Sequence, residues 1–164
     1  MTDANRKMPD AFPTREEINP TPGNLDEEWA VTHLLGKSLA DLTALFLTDE
    51  NAAFQYQEDF MFMGTAAFRY YFPAYLAYFR SGRSVGDSDT LNAIVSVLEN
   101  RLQDEPETIC AIAPTVLETL RLCEQDFDKF GADPGIYGDL PERIRRLEDA
   151  VRALAKSLGS QEGR

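Results

Sequence analysis

Residues 65–80 read Thr-Ala-Ala-Phe-Arg-Tyr-Tyr-Phe-Pro-Ala-Tyr-Leu-Ala-Tyr-Phe-Arg, and any fold of this chain has to bury them. Eleven of the seventeen aromatic residues lie between Phe54 and Phe79. An aromatic side chain buries about 150–250 Å², so such a segment dominates the core it joins. At helical spacing Phe68, Phe72, Tyr75 and Phe79 line one side, and Ala67, Tyr71, Tyr75 and Tyr78 line an adjacent one. The apolar arc is that of a helix buried over most of its circumference. Thr65 is the expected N-cap after the break at Gly64. Pro73 divides the run, because a proline inside a helix removes a hydrogen bond and clashes with the preceding turn. One helix is expected from about Ala66 to Phe72 and a second from Pro73, where proline suits the first turn. Ser81-Gly82 ends it.

Two readings of this stretch stand. In one it is core, packed against neighbouring helices. In the other it is the wall of a ligand pocket, with Arg69, Tyr70 and Tyr71 facing the ligand. The first is the stronger, since aromatic stripes at helical spacing usually pack on other helices. Buried tyrosine hydroxyls need partners in either case.

The stretch Ala67-Phe-Arg-Tyr-Tyr-Phe-Pro-Ala-Tyr75 resembles a motif of a group of small acidic helical bacterial proteins of unknown function. Gly36-Lys37-Ser38-Leu39, Glu58-Asp59 and Met63-Gly64 are similar to the same group, so the resemblance spans about Trp29 to Leu102. It implies a helical fold and carries no activity.

At 164 residues the chain fits one domain with its own core. The expected architecture is all-α: a compact single-domain bundle of about five to six helices over residues 25–159. A Pro-rich arm at residues 1–24 precedes it and a short tail at 160–164 follows. The arm holds Pro9, Pro13, Pro20 and Pro22. It is expected to be extended against the body through Met8, Phe12 and Ile18, or disordered. The formal net charge is −12. It argues against nucleic-acid and anionic-membrane binding, which recruit lysine and arginine. No stretch approaches the ~20 apolar residues of a membrane span. Residues 1–24 lack the apolar core of a signal peptide. A cytoplasmic location is expected, with Cys110 and Cys123 reduced.

Along the chain, Asn24 caps a helix from Leu25 to Leu35, in which Trp29 and His33, four residues apart, can touch. Ser38 and Asp41 form a capping-box start for a helix to about Leu47. Residues 48–63 are expected to hold a loop and then a short helix at about 57–63. A helix from Ser88 or Asp89 runs to about Gln103 and stops before Pro106. Residues 109–113 form a turn leading to Pro114, which opens a helix to about Phe130. Asp139 caps the last helix, where Leu140, Ile144, Leu147, Val151, Leu154 and Leu158 step by fours and threes. That seam docks on the bundle or pairs two copies of the chain through residues 140–158.

Residues 87–139 carry twelve acidic and three basic side chains, while the last helix is slightly basic. A basic helix lying on an acidic body follows from this.

Catalytic and metal motifs are scarce. Gly36-Lys37-Ser38 is not a phosphate-binding loop, since Val31 stands where that motif needs its first glycine and no strand precedes it. His33 has no second ligand at metal spacing, and Asp87-Ser88-Asp89 lacks the later glutamate of a calcium loop. The cysteines form no C-x-x-C pair. No cofactor or metal is expected. Glu58 and Asp59 diverge on a helix, so solvation or pairing with Arg69 is the expected fate of these carboxylates.

Two functions remain. The first is a non-enzymatic, acidic interaction module, immunity-like or regulatory, that binds a basic protein partner through Glu118, Glu124 and Asp128. The second is a small-ligand binder or enzyme that uses residues 65–80 as a pocket wall.

Overall fold

A computed structural model describes residues 11–160, so the expected contact of Met8 lies outside the described residues. Among the described residues every regular element is helical. In chain order these are α1 (Arg15–Ile18), α2 (Leu25–Leu34), α3 (Leu39–Thr48), α4 (Ala52–Gln55), α5 (Gln57–Phe62), α6 (Thr65–Tyr71) and α7 (Pro73–Arg80). Then follow α8 (Ser88–Asp104), α9 (Pro106–Ala111), α10 (Ala113–Gln125), α11 (Pro134–Tyr137) and α12 (Leu140–Gly159). Short 3-10 turns sit at Gly82–Ser84 and Phe127–Phe130.

The all-α expectation holds, but the helices are shorter and more numerous than five to six. Proline accounts for much of the subdivision: Pro73, Pro106 and Pro114 each occupy the first turn of a helix, where the missing N–H costs nothing. Residues 109–113 are accordingly not a bare turn, since Ile109 is buried on α9. The following helix ends at Gln125 rather than Phe130, and the chain tightens there into the 3-10 turn. The short helix expected at about 57–63 is α5, and the stretch before it, expected as a loop, holds the further short helix α4. The alternation of Phe54 and Tyr56 with polar residues reflects short helices with one exposed side. Gly64, not Thr65, caps α6. Ser38 and Asp41 form the capping box at the start of α3.

The core is built around Tyr75. Its ring lies 4.7 Å from that of Phe60 and 4.9 Å from that of Phe46, and it also meets Phe72 and Phe79. Its hydroxyl donates to the Ala53 carbonyl at 2.8 Å. Phe68, Phe72 and Phe79 are fully buried as well. Break and burial are connected: the Pro73 division lets α6 and α7 present different arcs to different neighbours. α6 packs on α1, α3 and α9, and α7 on α3 and α10.

Arg101 ties α8 to the C-terminal end of α5. It is 5% exposed. Its guanidinium donates to the carbonyls of Phe60 and Met63 and to Glu105, and lies 4.8 Å above the Phe68 ring. A cation at a helix C-terminus satisfies carbonyls that have no partner within the helix. This contact fixes where α5 ends.

α12 docks on α10, α8 and α9. Leu140, Ile144, Leu147 and Val151 are buried there. What the seam leaves accessible to a second copy is Leu154 and Leu158. The expected attraction between a basic last helix and an acidic body is visible in particular pairs. Arg143 meets Glu99, Asn92 and Ser96 of α8, whereas the pair of Arg121 of α10 with Glu148 of α12, 3.2 Å apart, runs the other way, with the base on the body and the acid on the last helix.

At the other end, Ile18 of α1 is fully buried, and its carbonyl accepts from Gly64 N at 2.9 Å. The approach is so close that a Cβ on Gly64 would lie 2.2 Å from the Glu17 carbonyl oxygen. Only glycine fits, although its backbone angles would suit any residue.

Candidate functional site

α2 and α5 enclose a cavity of about 200 Å³. Asn24 starts α2 by accepting from Asp26 N and Glu27 N. From that start the helical repeat brings Asp26, Trp29 and His33, spaced by three and four, onto one face. α5 contributes Glu58, Asp59 and Phe62, and Gln55 follows from α4.

The cavity's central contact is between His33 Nδ1 and Asp59 Oδ2, 2.8 Å apart. The Asp59 side chain is 4% exposed and that of His33 is 41% exposed. Burial pushes the Asp59 carboxyl above its ordinary range, and the hydrogen bond and charge of His33 draw it back. The His33 ring is flanked by Trp29, with centroids 5.9 Å apart, and by Tyr56 at 5.5 Å. Asp59 therefore pairs with His33 rather than with Arg69, which is exposed. With Asp59 ionised, Nδ1–H donates to it and Nε2 is left as the free ring nitrogen, the arrangement of an oriented imidazole. Among the described residues the lining holds no serine, threonine, cysteine or lysine to act as nucleophile. What it does hold is three carboxylates beside exposed aromatic surface. Trp29 is 62% exposed, Leu25 is exposed one turn before it, and Phe62 is exposed at the cavity wall.

The residues singled out from the sequence lie elsewhere. Tyr71 is fully buried. Its hydroxyl donates to the carbonyls of Lys37 at 2.7 Å and Leu34 at 3.1 Å, clamping the turn between α2 and α3. Tyr70 is half-buried, and its hydroxyl accepts from Leu39 N at 3.2 Å at the start of α3. It lines an open apolar groove with Phe12, Leu39, Ala40, Thr43 and Leu47. Of Arg69, Tyr70 and Tyr71, only Tyr70 lines that groove. Glu118 is paired with Arg80. Glu124 is half-buried and Asp128 is exposed on the 3-10 turn after α10. At about 100° per residue, Glu118 and Glu124 point some 120° apart around α10, so the three carboxylates do not form one face of that helix.

The His33–Asp59 pair was not visible in the sequence, where only the contact of Trp29 with His33 could be read from spacing. A usable signal was the position of Asp59 directly beside the core residue Phe60. Among the described residues no group of three or more histidine, cysteine, aspartate or glutamate side chains could hold a metal ion. Cys110 and Cys123 are free thiols, and burial pushes the Cys123 thiol up to about 12. No single helix among the described residues is long and apolar enough to cross a membrane. Fold and cavity define a helical domain with an acidic, aromatic-walled recess. Comparison with family models, with curated proteins and with solved structures finds no match.

Proposed function

We propose that this protein is an acidic helical interaction module that binds a basic protein partner, and that the partner sits over the α2–α5 recess. One observation carries the reading. The chain's single tryptophan, Trp29, stands largely in solvent at the mouth of a recess whose lining, among the described residues, has three carboxylates and neither lysine nor arginine. An exposed tryptophan is costly surface, and tryptophan is the residue type most enriched at the energetic centres of interfaces. Carboxylates around it steer a basic partner and reject an acidic one. The net charge of −12 extends the same preference over the whole surface. Neutralising a basic toxin or nuclease is one concrete form of such a module, and regulating a basic protein is another.

The test is affinity capture from native lysate at low and high salt, using the wild type, Trp29→Ala, and the triple variant Glu118→Lys/Glu124→Lys/Asp128→Lys. The reading expects a stoichiometric basic protein that is released by salt, lost in Trp29→Ala and kept in the triple variant. Loss only in the triple variant moves the interface to α10. Equal capture by all three proteins overturns the assignment.

A further inference from the structure

We infer that the α2–α5 recess is a socket for one organic cation, the ammonium or guanidinium end of a lysine or arginine side chain on the partner. This rests on the interaction reading above and names what enters the site.

Size is the first argument. About 200 Å³ accommodates the end of a side chain, whereas cofactors and drug-sized ligands occupy about 300–1,000 Å³. Wall chemistry is the second. Trp29, Phe62 and the His33 ring supply flat aromatic faces, and Asp26, Glu58 and Asp59 supply negative charge from both helices. A cation over an aromatic face with carboxylates alongside gains from the ring quadrupole and from direct charge pairing together. An anion meets three carboxylates and, among the described residues, finds no lysine or arginine in the lining. A bare metal ion is a poorer match. The deepest carboxylate, Asp59, already accepts from His33, and the rest of the wall is aromatic. An organic cation suits a recess that is part aromatic and part acidic.

Position is the third argument. Leu25 and Thr32 join Trp29 and Glu28 in a second depression that shares Trp29 with the first. Apolar surface thus continues past the socket, as expected where a protein, and not a free amine alone, lies across it.

The experiment uses the full chain labelled with ¹⁵N. Trp29 is the only tryptophan, so its indole N–H gives one resolved reporter at the cavity mouth. Nα-acetyl-lysine amide and Nα-acetyl-arginine amide are titrated in parallel with the uncharged Nα-acetyl-norleucine amide. The proposal expects a saturable shift of the indole resonance with the two cationic probes and none with norleucine. Trp29→Phe shortens the aromatic wall, so there the probes are followed by the backbone amide of His33, with binding weakened about five-fold or more. Glu58→Gln should weaken it by at least as much, followed at the indole. Both side chains are exposed, so both variants should fold. Equal response to norleucine, or no saturable response to either cation, overturns the socket. If that happens while a salt-sensitive basic partner is still lost in Trp29→Ala, the interface reading stands without the socket. If the probes bind but no basic partner is captured, the socket stands and the interface reading falls.

Discussion

The hydroxyl of Tyr75 is its one polar group in an otherwise apolar contact shell, and it meets the Ala53 carbonyl. Removing it leaves the stacked and edge-on rings in place but strands a buried acceptor. Tyr75→Phe should therefore lower stability by about 1–3 kcal/mol in a denaturant titration, with an unchanged slope. Tyr71 follows the same logic with two carbonyls. The sequence showed that these tyrosines are buried, because the four-and-three spacing repeats over two helices. It did not show what their hydroxyls hold. Ala53, Leu34 and Lys37 are distant in the chain, and periodicity reports only neighbours within one helix. The same limit hid Asp59: its partner His33 lies on another helix, so a local pattern pointed to Arg69.

At the level of elements, α12 shows most clearly what a repeating pattern can and cannot specify. The seam from Leu140 to Leu158 was legible as an apolar stripe. Its docking partner was not, because a stripe that fits a second copy also fits the bundle. In the fold the first two thirds of the stripe are buried on α10 and α8, and the last turns emerge. Leu147→Ala should cost about 2–5 kcal/mol, whereas Leu158→Ala should stay within about 0.5 kcal/mol. A matched pair of thermal or chemical melts checks both. If the seam were shared with another copy, the wild-type melt would shift with protein concentration and Leu158→Ala would reduce that shift. Within residues 48–63 the short helix at about 57–63 was legible and α4 was not, for a different reason. A helix of four residues is too short to display a full period, and tertiary contacts decide it.

For the molecule as a whole, the aromatic core sets an upper limit of pH. Burial pushes the phenols of Tyr71, Tyr75 and Tyr78 upward, and the hydrogen bond to Asp87 adds to the effect at Tyr78. In the unfolded chain these groups release protons near pH 10, while in the fold they keep them. The unfolded state then binds fewer protons, so stability falls as pH rises through that region. Cys123 acts in the same sense between about 9 and 12. Denaturation midpoints at pH 8, 9.5 and 11 should decrease in that order. Phenolate absorbance of the three core tyrosines should appear together with unfolding, not before it. Independent titration of all six tyrosines near pH 10 would contradict the burial described here.

The fit at Gly64 also bears on how the protein is made. α1 leaves the ribosome well before the glycine that receives it, with α2 to α5 still to follow. Ile18 can find its seat only once α6 has begun. A domain folds as a unit, so here an early helix waits for a later partner before it is locked. Until then Ile18 lacks the backbone partner that Gly64 supplies, and that partner comes only with the start of α6.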